Sequence, residues 1–203
     1  MVGAISGRET LREGARADRV AISGVQIAIQ SDGFLTFATS GQISTDRQIW
    51  EVTPENTLHR RPAPAVPIER LSIAGGRDLF ISGVEQIWLL AGDGSFRVIA
   101  GVATAAFAGD GGPATEAKFS SPAALSIGAD GRLYVADYSN GRIRVIDSDG
   151  IVGTVVDPVS ALILPTGVVA DKQGNLFILD RSGPGADTAP QRERGFDNCS
   201  RAL

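Results

Sequence analysis

The stretch DGRLYVAD at residues 130–137, followed by NGRIRVI at 140–146 and SDGIV at 148–152, decides the fold of this chain. It contains three short apolar runs, separated by turn residues such as Asp-Gly and Asn-Gly. Such dipeptides between alternating apolar runs favour tight hairpins. The stretch therefore predicts one unit of antiparallel strands, and because so small a unit cannot bury its apolar faces alone, it indicates an array of similar units.

A leucine in the second strand of this unit recurs along the chain and gives the period of the array. Its positions are Leu35, Leu79, Leu133 and Leu176, at intervals of 44, 54 and 43 residues. The long interval contains an insertion of 11 residues, 107–117, and shortens to 43 when the insertion is removed. Four antiparallel strands repeating at such a period are typical of a propeller blade.

The repeats divide the chain into segments. Residues 1–19 are small and polar, and we expect a polar N-terminal tail there. Residues 20–182 are expected to form the propeller segment, with blades at about 20–60, 68–100, 101–156 and, in part, 165–180. Residues 183–203 show no pattern for a third or fourth strand of the last blade, so they are expected to be a disordered C-terminal tail.

The bulk composition narrows the classes of partner. The chain has 203 residues, a net charge of −4 and a pI near 5.0, so it offers no electrostatic reason to expect nucleic acid or an anionic membrane. Its apolar runs are far shorter than the roughly 18 residues of a membrane helix. No signal peptide is readable at the N-terminus, which leaves the localisation unknown. Cys199 is the only cysteine and cannot form an internal disulfide.

The third repeat resembles the blades of the NHL family of β-propellers. The matching segments are FAGDGGPA at 107–114, SP at 121–122, DGRLYVAD at 130–137 and NGRI at 140–143, with PTGVVAD at 165–171 and GNLFILD at 174–180 in the fourth repeat. The first two repeats are degenerate. The resemblance implies an all-β fold, a partial (open) β-propeller of four-stranded antiparallel blades, in a family whose propellers typically have six blades and serve mostly in binding and scaffolding.

The inserted loop Gly109-Asp-Gly-Gly112 is the leading candidate for a functional site. It lacks the Lys-Ser/Thr of a phosphate loop and the spaced acidic ligands of a calcium loop. We interpret it as a connector on one rim, with a partner-contact loop as the alternative, because inserted loops on rigid scaffolds often carry binding. The expected partner contacts are Phe107, Asp110 and Lys118. Because Asp110 is expected on this rim, Asp110→Ala should lower the free energy of unfolding by under about 0.5 kcal/mol.

A second polar group follows the second strand of the third repeat: Asp137, Asn140 and Arg142. In the structural interpretation, the aspartate and the asparagine shape the turn, and Arg142 packs and pairs back to Asp137. In the functional alternative, the three form a ligand site. Trp50 and Trp88 occupy equivalent repeat positions and are expected to pack between blades, with an aromatic cage as the alternative.

The sequence favours a non-enzymatic NHL-type binding or scaffold module, a fragment of a larger propeller. Its expected partner is a protein or small ligand on the propeller face, with self-association through unpaired blade faces as a further expectation. A truncated reading frame with no function of its own is a third possibility.

The enzymatic alternative is a propeller with lactonase- or lyase-like chemistry and a calcium site at the central channel, for which Asp171 is a candidate ligand. The family of amidating lyases needs several histidines, whereas His59 is the only one here and is expected to be a surface or interblade residue. No Ser/His/Asp or Cys/His set has enough members. No catalytic, cofactor-binding or metal-binding residue is therefore assigned.

Overall fold

The computed structural model of the chain describes residues 12–17, 25–29, 35–39, 48–62, 73–74, 78–157, 164–181 and 194–196. These ranges hold fifteen β-strands and no α-helix, with short 3₁₀ turns at Ala114–Glu116 and Tyr138–Asn140. Within them, no helix has the length and apolar character needed to cross a membrane. The strands are β1 (Val25–Ile29), β2 (Leu35–Thr39), β3 (Ile49–Val52), β4 (Leu58–Arg61), β5 (Ile73–Ala74), β6 (Leu79–Ser82), β7 (Ile87–Leu90), β8 (Phe96–Ala100), β9 (Pro122–Ile127), β10 (Leu133–Asp137), β11 (Arg142–Ile146), β12 (Val152–Val156), β13 (Pro165–Ala170), β14 (Leu176–Asp180) and β15 (Arg194–Phe196).

The strands form four sheets in which neighbours along the chain are also neighbours in space. Three sheets have four strands each, β1–β4, β5–β8 and β9–β12, and the last contains β13, β14 and β15. Antiparallel pairing joins β1–β2, β2–β3, β3–β4, β5–β6, β9–β10, β10–β11, β11–β12, β13–β14 and β14–β15. The predicted register is confirmed, because the repeated leucine is the first residue of the second strand in every sheet: Leu35, Leu79, Leu133 and Leu176.

Three turns between strands contain a glycine at positive φ, which follows an aspartate in Asp130-Gly131 and Asp149-Gly150 and a glutamine in Gln173-Gly174. Gly131, Gly150 and Gly174 have φ of 79°, 78° and 86°, a region that favours glycine because it carries no Cβ. The carboxylate of Asp147 accepts hydrogen bonds from the N–H groups of Asp149 and Ile151, which closes the β11–β12 turn.

The chain divides into two compact units. The first comprises Met1–Pro67, Gly75–Leu79 and Leu90–Phe96, and the second comprises Ile68–Ala74, Phe80–Leu89 and Arg97–Leu203. The core of the first unit contains Ala15, Phe37, Trp50 and Leu58.

The second unit has two apolar clusters, and β10 contributes to both. Leu133 and Val135 pack in one cluster with Ile87, Leu125 and Phe119. The intervening residues Tyr134 and Ala136 pack in the other with Val168, Leu176 and Ile178. Because alternate residues of a strand point to opposite faces, the third sheet buries both of its faces.

Two segments outside the predicted repeats take part in sheet pairing. In the expected N-terminal tail, the Gly14 N–H donates to the Leu58 carbonyl and the Leu58 N–H donates to the Ala15 carbonyl, both within 2.9 Å. The expectation that no third strand follows residue 180 is also corrected, because β15 pairs with residues 176–178 of β14. Neither segment has an alternating apolar pattern. Pairing at a sheet edge is made by backbone N–H and carbonyl groups and does not require such a pattern.

Trp50 and Trp88 are both buried, with 2% and 6% of their surface exposed. Trp50 packs within the first unit against Phe37, Leu58 and Ala15, so its contacts come from its own sheet and from the N-terminal segment. The Trp88 ring fills the space above Gly83, where a Cβ would collide with it. The structure gives each tryptophan a packing role.

Candidate functional site

The inserted loop of the third repeat is organised around one arginine that the sequence analysis did not single out, Arg144. This residue lies in the middle of β11, opposite Val135 of β10, and its side chain is fully buried. Arg144 Nη2 donates to Asp110 Oδ1 at 2.7 Å and to the Ala108 carbonyl at 3.3 Å. A buried guanidinium is costly unless it is paired with a carboxylate and hydrogen-bonded, and the loop supplies both kinds of partner.

The other side of the guanidinium faces Asp137. Arg144 Nη1 lies 3.5 Å from Asp137 Oδ2 and donates to the Lys118 carbonyl at 3.3 Å. The Asp137 carboxylate is fully buried at the end of β10 and also accepts from the Ser120 N–H and from Asn140 Nδ2, both at 2.8 Å. We call this charged group the Arg144 clamp: it consists of the fully buried Arg144 and Asp137 and the partly exposed Asp110.

Asp110 ties the loop to a second strand as well. Its Oδ2 accepts a hydrogen bond of 2.7 Å from Thr154 Oγ1 on β12, while its Oδ1 holds Arg144. Asp110 lies on the rim as expected, with 39% of its side chain exposed. Because its carboxylate also compensates a buried charge, we expect its removal to cost more stability than its loop position alone predicts. The sequence did not reveal this because the two partners lie 34 and 44 residues away along the chain.

Phe107 lies at the surface of the same loop, with 41% of its surface exposed. The Arg142 guanidinium carbon lies 3.8 Å from the ring centroid, and that of Arg144 lies 4.8 Å from it. Arg142 also donates to the Asn140 carbonyl at 2.7 Å. The expected pairing of Arg142 with Asp137 is thus replaced by pairing of Arg144 with Asp137, and Arg142 stacks on Phe107 instead.

The three residues predicted as partner contacts are brought together by Arg144, each in a different way. Asp110 accepts a hydrogen bond from its guanidinium, Phe107 stacks near it, and the backbone carbonyl of Lys118 accepts a hydrogen bond from its Nη1. The Lys118 N–H also donates to the Ala108 carbonyl at 3.1 Å. Their role in contacting a partner stays a prediction, because these contacts are internal to the chain.

The structural position of Arg144 is occupied by tryptophan in the earlier repeats. Trp50 lies opposite Phe37 in the first sheet, just as Arg144 lies opposite Val135 in the third, and the sequence places Trp88 at the same point of the second repeat. An arginine where two repeats have a buried tryptophan is the signal that could have identified the clamp. Asp110 in the inserted loop and Asp137 at the end of β10 compensate the charge that this arginine brings.

The other titratable residues considered from the sequence lie apart from the clamp in turns or at the surface. Asp171 accepts from the N–H groups of Gln173 and Asn175 and from the Asn175 side chain, so its oxygens close the β13–β14 turn. Partial desolvation raises the pKa of Asp171, but these hydrogen bonds outweigh it and hold the pKa below the ordinary value. His59 Nδ1 lies 2.8 Å from Glu13 Oε1 at the surface. In the part of the chain that the structure describes, no three His, Cys, Asp or Glu side chains are grouped as a metal site requires.

Replacing Asp110 by alanine should lower the free energy of unfolding by about 1–3 kcal/mol, because a buried charged donor loses its short hydrogen bond. Glu116→Ala is the matched control, since Glu116 is an exposed carboxylate in the same loop and should change stability by under about 0.5 kcal/mol. Urea unfolding followed by circular dichroism measures both variants. Equal midpoints for the two would show that Asp110 does not support Arg144.

Asp137 makes the stability of the chain depend on pH. Burial raises the pKa of its carboxyl, although donation from Asn140, the Ser120 N–H and Arg144 opposes the shift. In the unfolded chain this carboxyl group ionises at about pH 4. Between that pH and the raised pKa, the folded state binds more protons than the unfolded state does. The free energy of unfolding therefore falls as the pH rises through this window. Asp137→Asn should remove this fall. Urea unfolding of both chains at a series of pH values measures it, and parallel curves would contradict the assignment.

Comparison with known sequences finds one family and two sets of relatives. Residues 86–148 and 100–161 match the family model of the Teneurin NHL domain. The chain is 38% identical over 76 residues to Teneurin-1 of Mus musculus, which covers 32% of this chain and 3% of that protein. It is 55% identical over 40 residues to Teneurin-4 of Homo sapiens, which covers 20% of this chain and 1% of that protein. The chain therefore spans only a small part of the length of these relatives.

Comparison with solved structures finds a lyase, a calcium-binding protein and a gluconolactonase at low sequence identity. The streptogramin B lyase structure matches with a TM-score of 0.57 and 17% identity over 86% of this chain and 54% of that one. The calcium-binding protein regucalcin of Agrobacterium tumefaciens gives 0.54 and 14% over 76% and 52%. A gluconolactonase of Xanthomonas campestris gives 0.53 and 17% over 76% and 52%. At these identities the likeness shows the fold alone, and the chain spans about half the length of each.

Four consecutive antiparallel sheets, each opened by the same leucine, and the likeness to these solved structures define the class: an all-β, partial β-propeller. The sequence match over residues 86–161 contains the whole of the third blade and its clamp. This match agrees with the resemblance of the third repeat to the blades of NHL propellers.

Proposed function

We propose that this chain is a non-enzymatic binding module that contacts a protein partner through the Phe107 surface, defined here as Phe107, Arg142 and the loop Gly109-Asp-Gly-Gly112. The single observation that carries the proposal is an exposed aromatic ring on a loop whose backbone is anchored on both sides.

The backbone on each side of Phe107 is fixed by a buried or half-buried side chain. Asn140 Nδ2 donates to the Ala106 carbonyl at 2.7 Å, and Arg144 Nη2 donates to the Ala108 carbonyl at 3.3 Å. A loop that is already ordered loses little conformational freedom when a partner binds. The Arg144 clamp therefore supports binding indirectly, by holding the ring in one position.

The composition of the Phe107 surface suits a protein partner. Aromatic residues and arginine are the types enriched where truncation costs most binding energy. Here the Arg142 guanidinium already lies 3.8 Å above the Phe107 centroid, so the ring and the cation are presented together. An acidic or aromatic segment of a partner could contact both groups at once.

Two observations favour binding over catalysis. The conspicuous polar residues of the third repeat are engaged in the Arg144 clamp, where they compensate each other. A histidine-to-alanine variant of virginiamycin B lyase from Staphylococcus aureus is catalytically inactive. The one histidine of this chain, His59, lies on β4, where its side chain is exposed and pairs with Glu13. The matches to Teneurin-1 and Teneurin-4 agree with a module of this kind.

The proposal is tested with peptides of defined sequence. A random-peptide display library is selected against the wild-type chain in the presence of a calcium chelator, and a recovered peptide is labelled and titrated by fluorescence anisotropy. Phe107→Ala should weaken binding at least tenfold, or about 1.4 kcal/mol. Phe177→Ala is the matched control, because Phe177 is 42% exposed against 41% for Phe107, and it should leave the affinity unchanged.

Phe107→Tyr keeps the ring over Arg142 and should retain most of the affinity, which separates loss of a contact from loss of the fold. Binding that survives Phe107→Ala, or falls equally with Phe177→Ala, would reject the Phe107 surface. The enzymatic alternative is tested by calcium titration in a calorimeter and by following the opening of a gluconolactone. Calcium-dependent turnover would reject the non-enzymatic proposal.

A further inference from the structure

The first unit contains a cleft of about 360 Å³ between its N-terminal segment and its sheet. The residues that line it are Arg12, Glu13, Gln48, Trp50 and Arg60. Trp50 on β3 is the cross-strand partner of Arg60 on β4, so both side chains lie on the same face of the sheet. We call these five residues the Trp50 cleft.

Glu13 fixes the N-terminal wall of the cleft to β4. Its Oε2 accepts the Arg60 N–H at 2.7 Å, and its Oε1 lies 2.8 Å from His59 Nδ1. Beside them, the Gly14 N–H donates to the Leu58 carbonyl at 2.8 Å. These contacts use a carboxylate, an imidazole and backbone groups, so neither arginine side chain is needed to hold the wall in place.

The two arginine side chains of the cleft have no anionic partner among the residues that the structure describes. The ion pairs in those ranges involve other groups, and Glu13, the one carboxylate of the cleft, pairs with His59. With His59 uncharged, two guanidiniums and one carboxylate leave the cleft a net charge of +1. The Trp50 cleft is therefore suited to a ligand group with a single negative charge.

Trp50 adds a hydrogen-bond donor that lacks an acceptor. The residue is 2% exposed, and its Nε1 has no hydrogen-bond partner within the described ranges. A buried N–H left unpaired costs free energy, and most such groups in proteins are paired. The other buried side-chain atoms in this state there, Ser82 Oγ and Arg144 Nε, do not belong to the cleft. An acceptor atom that enters the cleft beside the indole would remove the cost.

We propose that the Trp50 cleft binds a carboxylate group, carried by a small molecule or by the C-terminal end of a peptide. A carboxylate has one negative charge, and its two oxygens accept paired hydrogen bonds from a guanidinium and have room for an indole N–H as well. A phosphate monoester carries about −1.5 to −2 charges at pH 7, more than the cleft compensates. The proposal is independent of the Phe107 surface, because Phe107 belongs to the second unit.

Nuclear magnetic resonance of the full chain tests the proposal, because each of the two tryptophans gives one indole N–H signal. The signal lost in Trp50→Phe, or the one kept in Trp88→Phe, is that of Trp50. The probes are acetate as a small carboxylate, N-acetylglycine as the end of a peptide, and N-acetylglycinamide as the neutral control. Both carboxylates should move the Trp50 signal downfield and reach saturation, whereas the amide should not, and the Trp88 signal should stay in place.

Variants of the two arginines show whether the ligand lies between them. Arg12→Gln and Arg60→Gln should each weaken binding about fivefold, or about 1 kcal/mol, as expected for an exposed ion pair. Arg97→Gln is the matched control, because Arg97 is an exposed arginine on the fourth strand of the second sheet, as Arg60 is on that of the first. It should leave the affinity unchanged. The Arg60 N–H that Glu13 accepts is kept in every variant, and an unmoved Trp88 signal reports that the fold is intact.

The two carboxylates distinguish the sources of the ligand. Tighter binding of N-acetylglycine assigns the cleft to a chain end, and equal binding assigns it to small carboxylates. Four results would overturn the proposal: no shift of the Trp50 signal with either carboxylate, an equal shift with the amide, the same affinity in the Arg12 and Arg60 variants as in the Arg97 control, or tighter binding of inorganic phosphate than of either carboxylate.

Discussion

Asp137→Ala should lower the free energy of unfolding by about 3–5 kcal/mol, because it leaves a buried guanidinium with one of its two carboxylates removed. Asp137 and Arg144 are both fully buried, so water cannot solvate the guanidinium once the carboxylate is removed. The same substitution removes the acceptor for the Ser120 N–H and for Asn140 Nδ2. The effect should exceed that of Asp110→Ala, since the Asp110 side chain is 39% exposed and solvent can partly compensate there.

Urea unfolding followed by circular dichroism measures this loss. Asp149→Ala provides the control, as Asp149 is an exposed aspartate in the β11–β12 turn, and it should change stability by under about 0.5 kcal/mol. A variant lacking Asp137 that is as stable as the control would mean that Asp110 and the carbonyls of Lys118 and Ala108 suffice to compensate Arg144.

Leu133→Ala should cost about 2–5 kcal/mol through lost burial and the cavity that remains. Leu133 is 4% exposed, and its cluster includes residues of the second sheet, the inserted loop and the third sheet. A cavity at this point is bounded by several elements that cannot all move inward together. The loss should therefore lie well above that of a partly exposed leucine.

Leu179→Ala is the comparison that isolates burial, because it removes the same atoms from a second strand at a position that is 37% exposed. Its cost should be under about 0.5 kcal/mol, as for other surface substitutions. The urea midpoints of the two variants should differ accordingly. Similar midpoints would mean that Leu133 is not in a tightly packed cluster.

The sequence predicted the architecture well because the repeat signal is local. Each sheet is encoded by short apolar runs and by Asp-Gly or Gly-Asn turns, and the leucines that mark the register all begin second strands. The residues of the inserted loop were also identified, although with the wrong arginine. The sequence did not show which arginine pairs with Asp137, since Arg142 and Arg144 flank the same isoleucine and lie on the same face of β11.

The features that the sequence did not predict depend on contacts between distant residues. Asp110 reaches Arg144 and Thr154 across 34 and 44 residues, and such pairs leave no periodic trace. The pairing of Ala15 with Leu58 and of Arg194 with Ile178 is made by backbone groups, which every residue carries. Side-chain patterns report which face is buried, and they say little about which segment completes an edge.

The N-terminal segment at residues 14–17 has a consequence for solubility. It occupies the backbone groups of Leu58 and Asn56 beside β4, where a bare strand edge would otherwise offer free hydrogen-bonding groups to another molecule. Unprotected edges of this kind nucleate edge-to-edge aggregation. A chain shortened to begin at residue 20 would lose this cover together with the buried Ala15 beneath it. Residues 14–17 thus protect the edge of the first sheet from pairing with another molecule.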